Sequence, residues 1–267
     1  MASSEHPIGS AQDVDAVEDF IVSTVVKPDD FALAALRRAA EHGLPSIEVM
    51  PNHGKFLQLL AQLRGARRIL EIGTLGGFST LSLARAVPRD GSVVTIEHNP
   101  DYAEVAKETL SAAHLGDVVD IRIGDARAVL DELQNELSDP DIDSELFDFV
   151  FIDADKENVP HYLTAALELC AEGAAIVLDN AVWHGAIIDP QDEAALGSEA
   201  GSNCWAVILT SMPPSYKQLA PKAGTDSRWH WSIAPRFQET PRSRVTGRER
   251  ASIVSLGPRH QTTHQQQ

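Results

Sequence analysis

One short stretch gathers several of the chain's reactive side chains: Phe147-Asp148-Phe149-Val150-Phe151-Ile152-Asp153-Ala154-Asp155-Lys156. A nearly continuous apolar run, the composition of a strand buried on both faces, ends in two carboxylates and an amine. About two dozen residues on, Ala174-Ala175-Ile176-Val177-Leu178 is followed by Asp179-Asn180. If the two strands are neighbours, their ends lie about 5 Å apart. Asp153 and Asp179 then meet, with Asn180 beside them. Two carboxylates forced together raise one another's pKa unless a cation neutralises them. Two carboxylate oxygens, an amide oxygen and water make a hard, open site that suits Mg²⁺ or Ca²⁺. The plainer alternative is a pair of helix caps and a surface ion pair with Lys156.

A second candidate is the turn Leu70-Glu71-Ile72-Gly73-Thr74-Leu75-Gly76-Gly77-Phe78-Ser79. Glycines between a strand and a helix let backbone approach a ligand and leave helix N–H groups free to donate. Leu75 and Phe78 stand where a dinucleotide fingerprint needs its second and third glycines, and no Lys-Ser/Thr pair follows as in a phosphate loop. A nicotinamide-dependent oxidoreductase is therefore disfavoured. Glu71 would be unwelcome beside a phosphate, whereas a cationic ligand tolerates it. Glu97 closes Val93-Val94-Thr95-Ile96-Glu97, 24 residues after Gly73. An acid there can accept both ribose hydroxyls of an adenosine cofactor. Asp125, in Gly124-Asp125-Ala126, suits either a cap for the next helix or a contact to the adenine amino group, and the two are compatible.

These residues need a frame, and the chain supplies one. Apolar runs at Ile69–Ile72, Ser92–Ile96, Val119–Ile123, Phe147–Ile152 and Ala174–Leu178 alternate with helical stretches at Thr80–Ala86, Tyr102–Ala113, Ala126–Leu137 and Val159–Cys170. That alternation predicts a doubly wound α/β domain around a mostly parallel, Rossmann-like sheet. In such sheets ligands bind beyond the carboxyl ends of the strands, where every candidate above falls. Three further helices precede it: Asp13–Val26, Asp30–His42 and one opened by Pro51 that ends near Gly65.

The net charge of −17 argues against nucleic acid as a partner. No run approaches the roughly 20 apolar residues of a membrane span, and the first residues lack the pattern of a secretory signal. Cys170 and Cys204 have no metal-type spacing, so a reduced, cytoplasmic protein is the plain expectation. The charge is uneven. Residues 1–197 carry 13 Lys/Arg against 35 Asp/Glu, while residues 198–267 carry 9 against 4. The expected organisation is a disordered start (1–12), one domain (13–197) and an atypical, largely disordered tail (198–267).

Taken together, Gly43-Leu44-Pro45-Ser46-Ile47, Gly54-Lys55-Phe56-Leu57, the Leu70–Ser79 turn, Val150–Lys156 and Asp179-Asn180-Ala181-Val182-Trp183-His184-Gly185 resemble the cation-dependent O-methyltransferases, the family of the caffeoyl-CoA and catechol enzymes. The resemblance runs from about Val14 to Pro190. It implies S-adenosylmethionine as methyl donor and a divalent cation, Mg²⁺ or Ca²⁺, held by Asp153, Asp179 and Asn180. It makes Lys156 the general base. It places Val49, Glu71, Gly73, Ser79, Glu97, Asp125, Ala126, Asp153 and Asp155 around the cofactor, with Glu97 on the ribose. The implied acceptor is a small catechol-like or phenolic hydroxyl, and the implied assembly a homodimer. Chelation of both catechol oxygens would lower the acceptor's pKa and fix its angle, and a lysine beside it would take the remaining proton.

After about Ala194 the resemblance stops. Cys204–Leu209, Trp229–Ile233 and Ser252–Leu256 have strand-like composition, but no turn chemistry joins them. The expectation is that the strand ending at Asp179 lacks its usual outer neighbour and lies open. A non-catalytic homologue that keeps the cofactor cleft is the alternative this raises.

Overall fold

The computed structural model describes residues 11–142, 144–180, 205–209 and 254–256. Its centre is a sheet of strand order β3-β2-β1-β4-β5-β6-β7. The strands are β1 (Arg68–Ile72), β2 (Ser92–Glu97), β3 (Val119–Ile123), β4 (Phe147–Ile152), β5 (Cys170–Leu178), β6 (Trp205–Leu209) and β7 (Val254–Leu256). β1 to β5 pair in parallel, and β6 and β7 join antiparallel. The helices are α1 (Ala11–Ile21), α2 (Asp30–Glu41), α3 (Pro51–Arg64), α4 (Phe78–Ala84), α5 (Pro100–Ala112), α6 (Ala126–Ser138) and α7 (Val159–Leu169).

Strand alternation sorts the interior into two layers. Ile69, Val93, Phe149, Phe151, Ala175 and Val177 face one way, packing with Leu57 of α3 and Leu81 of α4. Leu70, Ile72, Val94, Ile96, Val150, Ile152 and Ile176 face the other, with Leu130 of α6 and Tyr162 of α7. The first parity continues through Glu71, Thr95, Glu97, Asp153 and Asp179. The site's carboxylates therefore share one face of the sheet, at its carboxyl edge.

After β1 the chain runs outward through β2 and β3, then returns to lay β4 on β1's other side. This reversal opens the crevice in which α/β sheets bind ligands. The ends beside it are tightly registered. The Asp153 N–H donates to the Ile72 carbonyl at 2.9 Å, Gly73 N–H to Ile96 at 3.0 Å and Asp179 N–H to Ile152 at 3.0 Å.

Three expectations shift. The first helix stops at Ile21, and Val22–Val26 forms a π turn closed by Lys27 at φ 47°; that stretch is β-branched apart from Ser23 and suits an α-helix poorly. β5 begins at Cys170, four residues earlier than its apolar run, with a register irregularity opposite Phe147/Phe149 and Gly173 at φ 80°. Most consequentially, β6 pairs with β5 from Ala175↔Leu209 to Leu178↔Ala206, so the strand ending at Asp179 is not an open edge. The predicted strand at Trp229–Ile233 and the expected disordered start (1–10 of it) lie outside the described residues.

Candidate active site

The candidate carboxylates sit where strands stop. Asp153 follows β4 and Asp179 follows β5; their carboxylates lie within hydrogen-bonding range of each other. Lys156 Nζ is 3.4 Å from Asp153 Oδ1. Burial pushes the Asp153 carboxyl up against the pull of Lys156, and burial together with the neighbouring Asp153 charge pushes Asp179 up as well. Asn180 takes a left-handed backbone at φ 53°, which asparagine tolerates better than most residues. Its N–H donates to Asp179 Oδ1 at 2.7 Å.

The glycine turn is set against this pair. Gly73 has φ 101°, and a Cβ there would lie 2.0 Å from the Asp153 carbonyl oxygen. Helix α2 covers the turn with small side chains: a Cβ on Gly76 would come 3.1 Å from that of Ala39. Glu97 is held by backbone donors. Leu75 N–H reaches its Oε2 at 2.8 Å, Thr74 N–H the same oxygen at 3.3 Å, and Asn99 N–H its Oε1 at 2.8 Å. Asp125 caps α6 by accepting from the Arg127 and Ala128 N–H groups and pairs with the Arg127 guanidinium at 3.1 Å.

A cleft of about 1270 Å³ runs over these strand ends. Val49, Gly73, Ser79, Glu97, Asp125, Ala126, Asp153, Asp155, Lys156 and Asn180 all line it. Glu71 is placed differently. Its side chain is fully buried on the α4 face, where its Oε2 accepts from the Thr80 and Thr95 hydroxyls and the Ser79 hydroxyl lies close to the same carboxyl. Thr74 Oγ1 lies 2.6 Å from Thr95 Oγ1, joining the turn to the same chain of hydroxyls. Sequence reasoning missed Thr74, Thr80 and Thr95. The signal was available for Thr95, which the β1–β2 register sets directly opposite Glu71. It also missed Tyr162 and Asn158, which line the cleft from the start of α7.

Burial pushes the Glu71 carboxyl up to about 7 from an ordinary 4.5, partly offset by the hydroxyls around it. The folded state thus holds a proton that the unfolded chain releases, and stability falls as pH rises from 4.5 and levels above about 7. At ~1.4 kcal/mol per pH unit of difference, this group costs about 3 kcal/mol by neutral pH. Glu71→Gln is expected to flatten the fall: urea midpoints of the ligand-free protein at pH 5 and pH 8 should differ less in the variant than in the wild type. Equal differences would show that Glu71 does not titrate in this range.

A strand-end cleft with a glycine turn, a strand-end acid and paired carboxylates places the chain among the α/β proteins that bind a ligand at a topological switch point. Comparison with known proteins narrows this. The O-methyltransferase family model matches residues 22–200, and the chain belongs to that family. Its relatives include the catechol O-methyltransferase of Niastella koreensis, 43% identical over 175 residues that span 66% of this chain and 76% of that protein. The catechol O-methyltransferase of Mycobacterium tuberculosis is 46% identical over 182 residues, 68% and 77% of the two chains. Among solved structures, the O-methyltransferase TomG from Streptomyces achromogenes, in complex with S-adenosylmethionine, superposes with a TM-score of 0.62 at 42% identity, covering 68% of this chain and 78% of that one. The O-methyltransferase from Bacillus cereus in complex with SAH gives 0.62 at 41%, covering 68% and 80%. The chain is an S-adenosylmethionine-dependent O-methyltransferase.

Proposed function

We propose that the chain methylates one hydroxyl of a small catechol-like acceptor, with a divalent cation held by Asp153, Asp179 and Asn180 and with Lys156 as general base. The observation that carries this reading is the buried carboxylate pair. Burial pushes both acids above their ordinary range, and the Asp153 charge adds to this at Asp179; a cation beside them would favour their ionised forms. Among the described residues no group of three His, Cys, Asp or Glu is placed to hold a metal. The donors proposed here, two carboxylates and an amide, all offer oxygen; Asp153 and Asn180 line the cleft, and Asp179 is buried beside Asp153. That set fits Mg²⁺ or Ca²⁺ better than a soft metal. When bound, such a cation supplies Lewis acidity toward a chelating hydroxyl.

The reaction forms one O–C bond and breaks one S–C bond, with the electron pair returning to sulfur. The chain's own tasks are to bind, to align and to accept one proton. Glu97, fixed by three backbone N–H groups, keeps one acceptor position on Oε1 for a ribose hydroxyl. The Gly73–Gly77 turn lets backbone approach the donor, and Val49 and Ser79 close the side facing α3 and α4. Asp125 and Ala126 line the cleft as well. Lys156, anchored beside Asp153, takes the acceptor proton. Holding donor and acceptor in line supplies much of the remaining acceleration.

The test is methyl transfer from labelled S-adenosylmethionine to a catechol panel with Mg²⁺, repeated with a chelator. Transfer to a catechol that stops on chelation and returns with Mg²⁺ is the expected result. Transfer untouched by the chelator would remove the metal from the reading.

A further inference from the structure

Asp155 reaches the cleft on two supports that the reaction does not otherwise use. Tyr162 is buried, at 3% exposure, yet its hydroxyl donates to Asp155 Oδ1 at 2.5 Å. Asn158 donates twice to Oδ2, through Nδ2 at 2.5 Å and through its backbone N–H at 3.2 Å. A carboxylate offers about four acceptor positions, and donors of the protein take three of them here. Asp155, Asn158 and Tyr162 line the cleft alongside Asp125 and Ala126. Helices α6 and α7, which supply these side chains or begin beside them, pack on the same sheet face. Burial and the bond to Asp155 push the Tyr162 phenol up, so it remains a donor across the working pH range.

The local fold explains the arrangement. Asp155 caps the short turn Lys156–Asn158, which feeds into α7. Tyr162 then lies in the first turns of that helix, with its ring in the apolar layer and its hydroxyl at the rim. A tyrosine here anchors a polar tip from a packed base, which costs little side-chain entropy. A flexible carboxylate on a strand-end loop would otherwise sample several rotamers, and each donor removes some of that freedom before a ligand arrives.

We propose that Tyr162 is a positioning residue for cofactor binding: with Asn158 it locks the Asp155 carboxylate as a fixed acceptor, so that its last lone pair meets a hydrogen-bond donor of S-adenosylmethionine. This rests on Asp155 being a cofactor contact. Tyr162 does not touch the reacting atoms and acts only through Asp155.

The experiment is a double-mutant cycle on the full chain, with S-adenosylmethionine affinity measured by calorimetry and steady-state kinetics run in parallel. Tyr162→Phe keeps the ring and removes the donor. It should raise the Kd and KM for S-adenosylmethionine about tenfold, the worth of one hydrogen bond to a charged group. Turnover at saturating cofactor should stay within about twofold by the same division of effects. Asn158→Ala, which leaves the apolar layer intact, should weaken binding about threefold through loss of its Nδ2 bond. In an Asp155→Ala background Tyr162→Phe should change nothing further, because the group it positions is gone. Additive losses would overturn the proposal and make Tyr162 a packing residue. So would a Tyr162→Phe Kd equal to wild type alongside a weakened Asp155→Ala. An Asp155→Ala variant with unchanged affinity would overturn the cofactor contact itself, and the positioning role with it.

Discussion

Gly73→Ala is expected to leave little folded, cofactor-binding protein. A Cβ at this position would sit 2.0 Å from the Asp153 carbonyl oxygen and 2.9 Å from its carbon, contacts with backbone that no rotamer change relieves. Neither strand end can retreat alone. Asp153 N–H donates to Ile72, Gly73 N–H donates to Ile96, and β1 and β4 lie mid-sheet with partners on both sides. The φ of 101° adds backbone strain for any residue with a Cβ. Strain and overpacking each cost about 1–3 kcal/mol, against a total stability of about 5–15 kcal/mol for an ordinary domain. Gly65→Ala is the matched control: its φ of 71° is also positive, but nothing lies within 4 Å of the added Cβ. Urea unfolding and calorimetry with S-adenosylmethionine should show Gly65→Ala close to wild type, at a cost of about 1 kcal/mol. Gly73→Ala should be largely unfolded or unable to bind. Similar midpoints and intact binding in both would mean that the β1–β4 contact yields readily.

Much of the site is legible in the sequence because its strands are parallel and buried on both faces. Parallel strands buried on both faces are written as uninterrupted apolar runs, so their carboxyl ends can be found by inspection. Once the runs at Phe147–Ile152 and Ala174–Leu178 are adjacent, Asp153 and Asp179 must meet, and they do. Glu97 and Asp125 were legible for the same reason, each being the polar residue at or just after a strand end. The cap read at Asp125 followed simple chemistry: it opens α6 by accepting from Arg127 N–H at 3.0 Å.

What escaped depended on direction and on distance along the chain. Glu71 was read as facing a cationic ligand because it precedes the glycine turn. Alternation with Ile69 instead turns it under α4, where Thr80 and Thr95 receive it. It reaches the cleft through Ser79, a hydroxyl partner that lines it, and through Thr95, whose hydroxyl meets that of Thr74. Tyr162 was hidden because its period reads as core, which is true of its ring and not of its hydroxyl. The outer strand was recognised as strand-like, but its partner could not be: β6 pairs with β5 antiparallel after a separation of some two dozen residues, and no local turn announces that pairing.

The remaining large effects concern the chemistry, and they separate the metal from the base. Asp153→Ala should lower catechol methylation at saturating Mg²⁺ by about a thousandfold or more, because the cation's stabilisation of charge is worth several kcal/mol and each 1.4 kcal/mol is tenfold in rate. The residual rate should ignore a chelator. Lys156→Ala should lower turnover by about a hundredfold to ten-thousandfold, the span of general-base contributions, while S-adenosylmethionine affinity moves about twofold. The two losses should also differ with pH. Without Lys156 the acceptor must ionise unaided, so the deficit relative to wild type shrinks as pH rises and more of the hydroxyl is already an oxyanion. Without Asp153 the acceptor loses the cation that lowers its pKa, and the ratio to wild type recovers only toward the ordinary ionisation range of a phenol, about pH 10. Pre-steady-state methyl transfer at saturating cofactor, followed from pH 6 to 10, reads both curves directly. A Lys156→Ala variant with wild-type turnover would take that residue out of the base role, and an Asp153→Ala variant still silenced by a chelator would move the metal elsewhere.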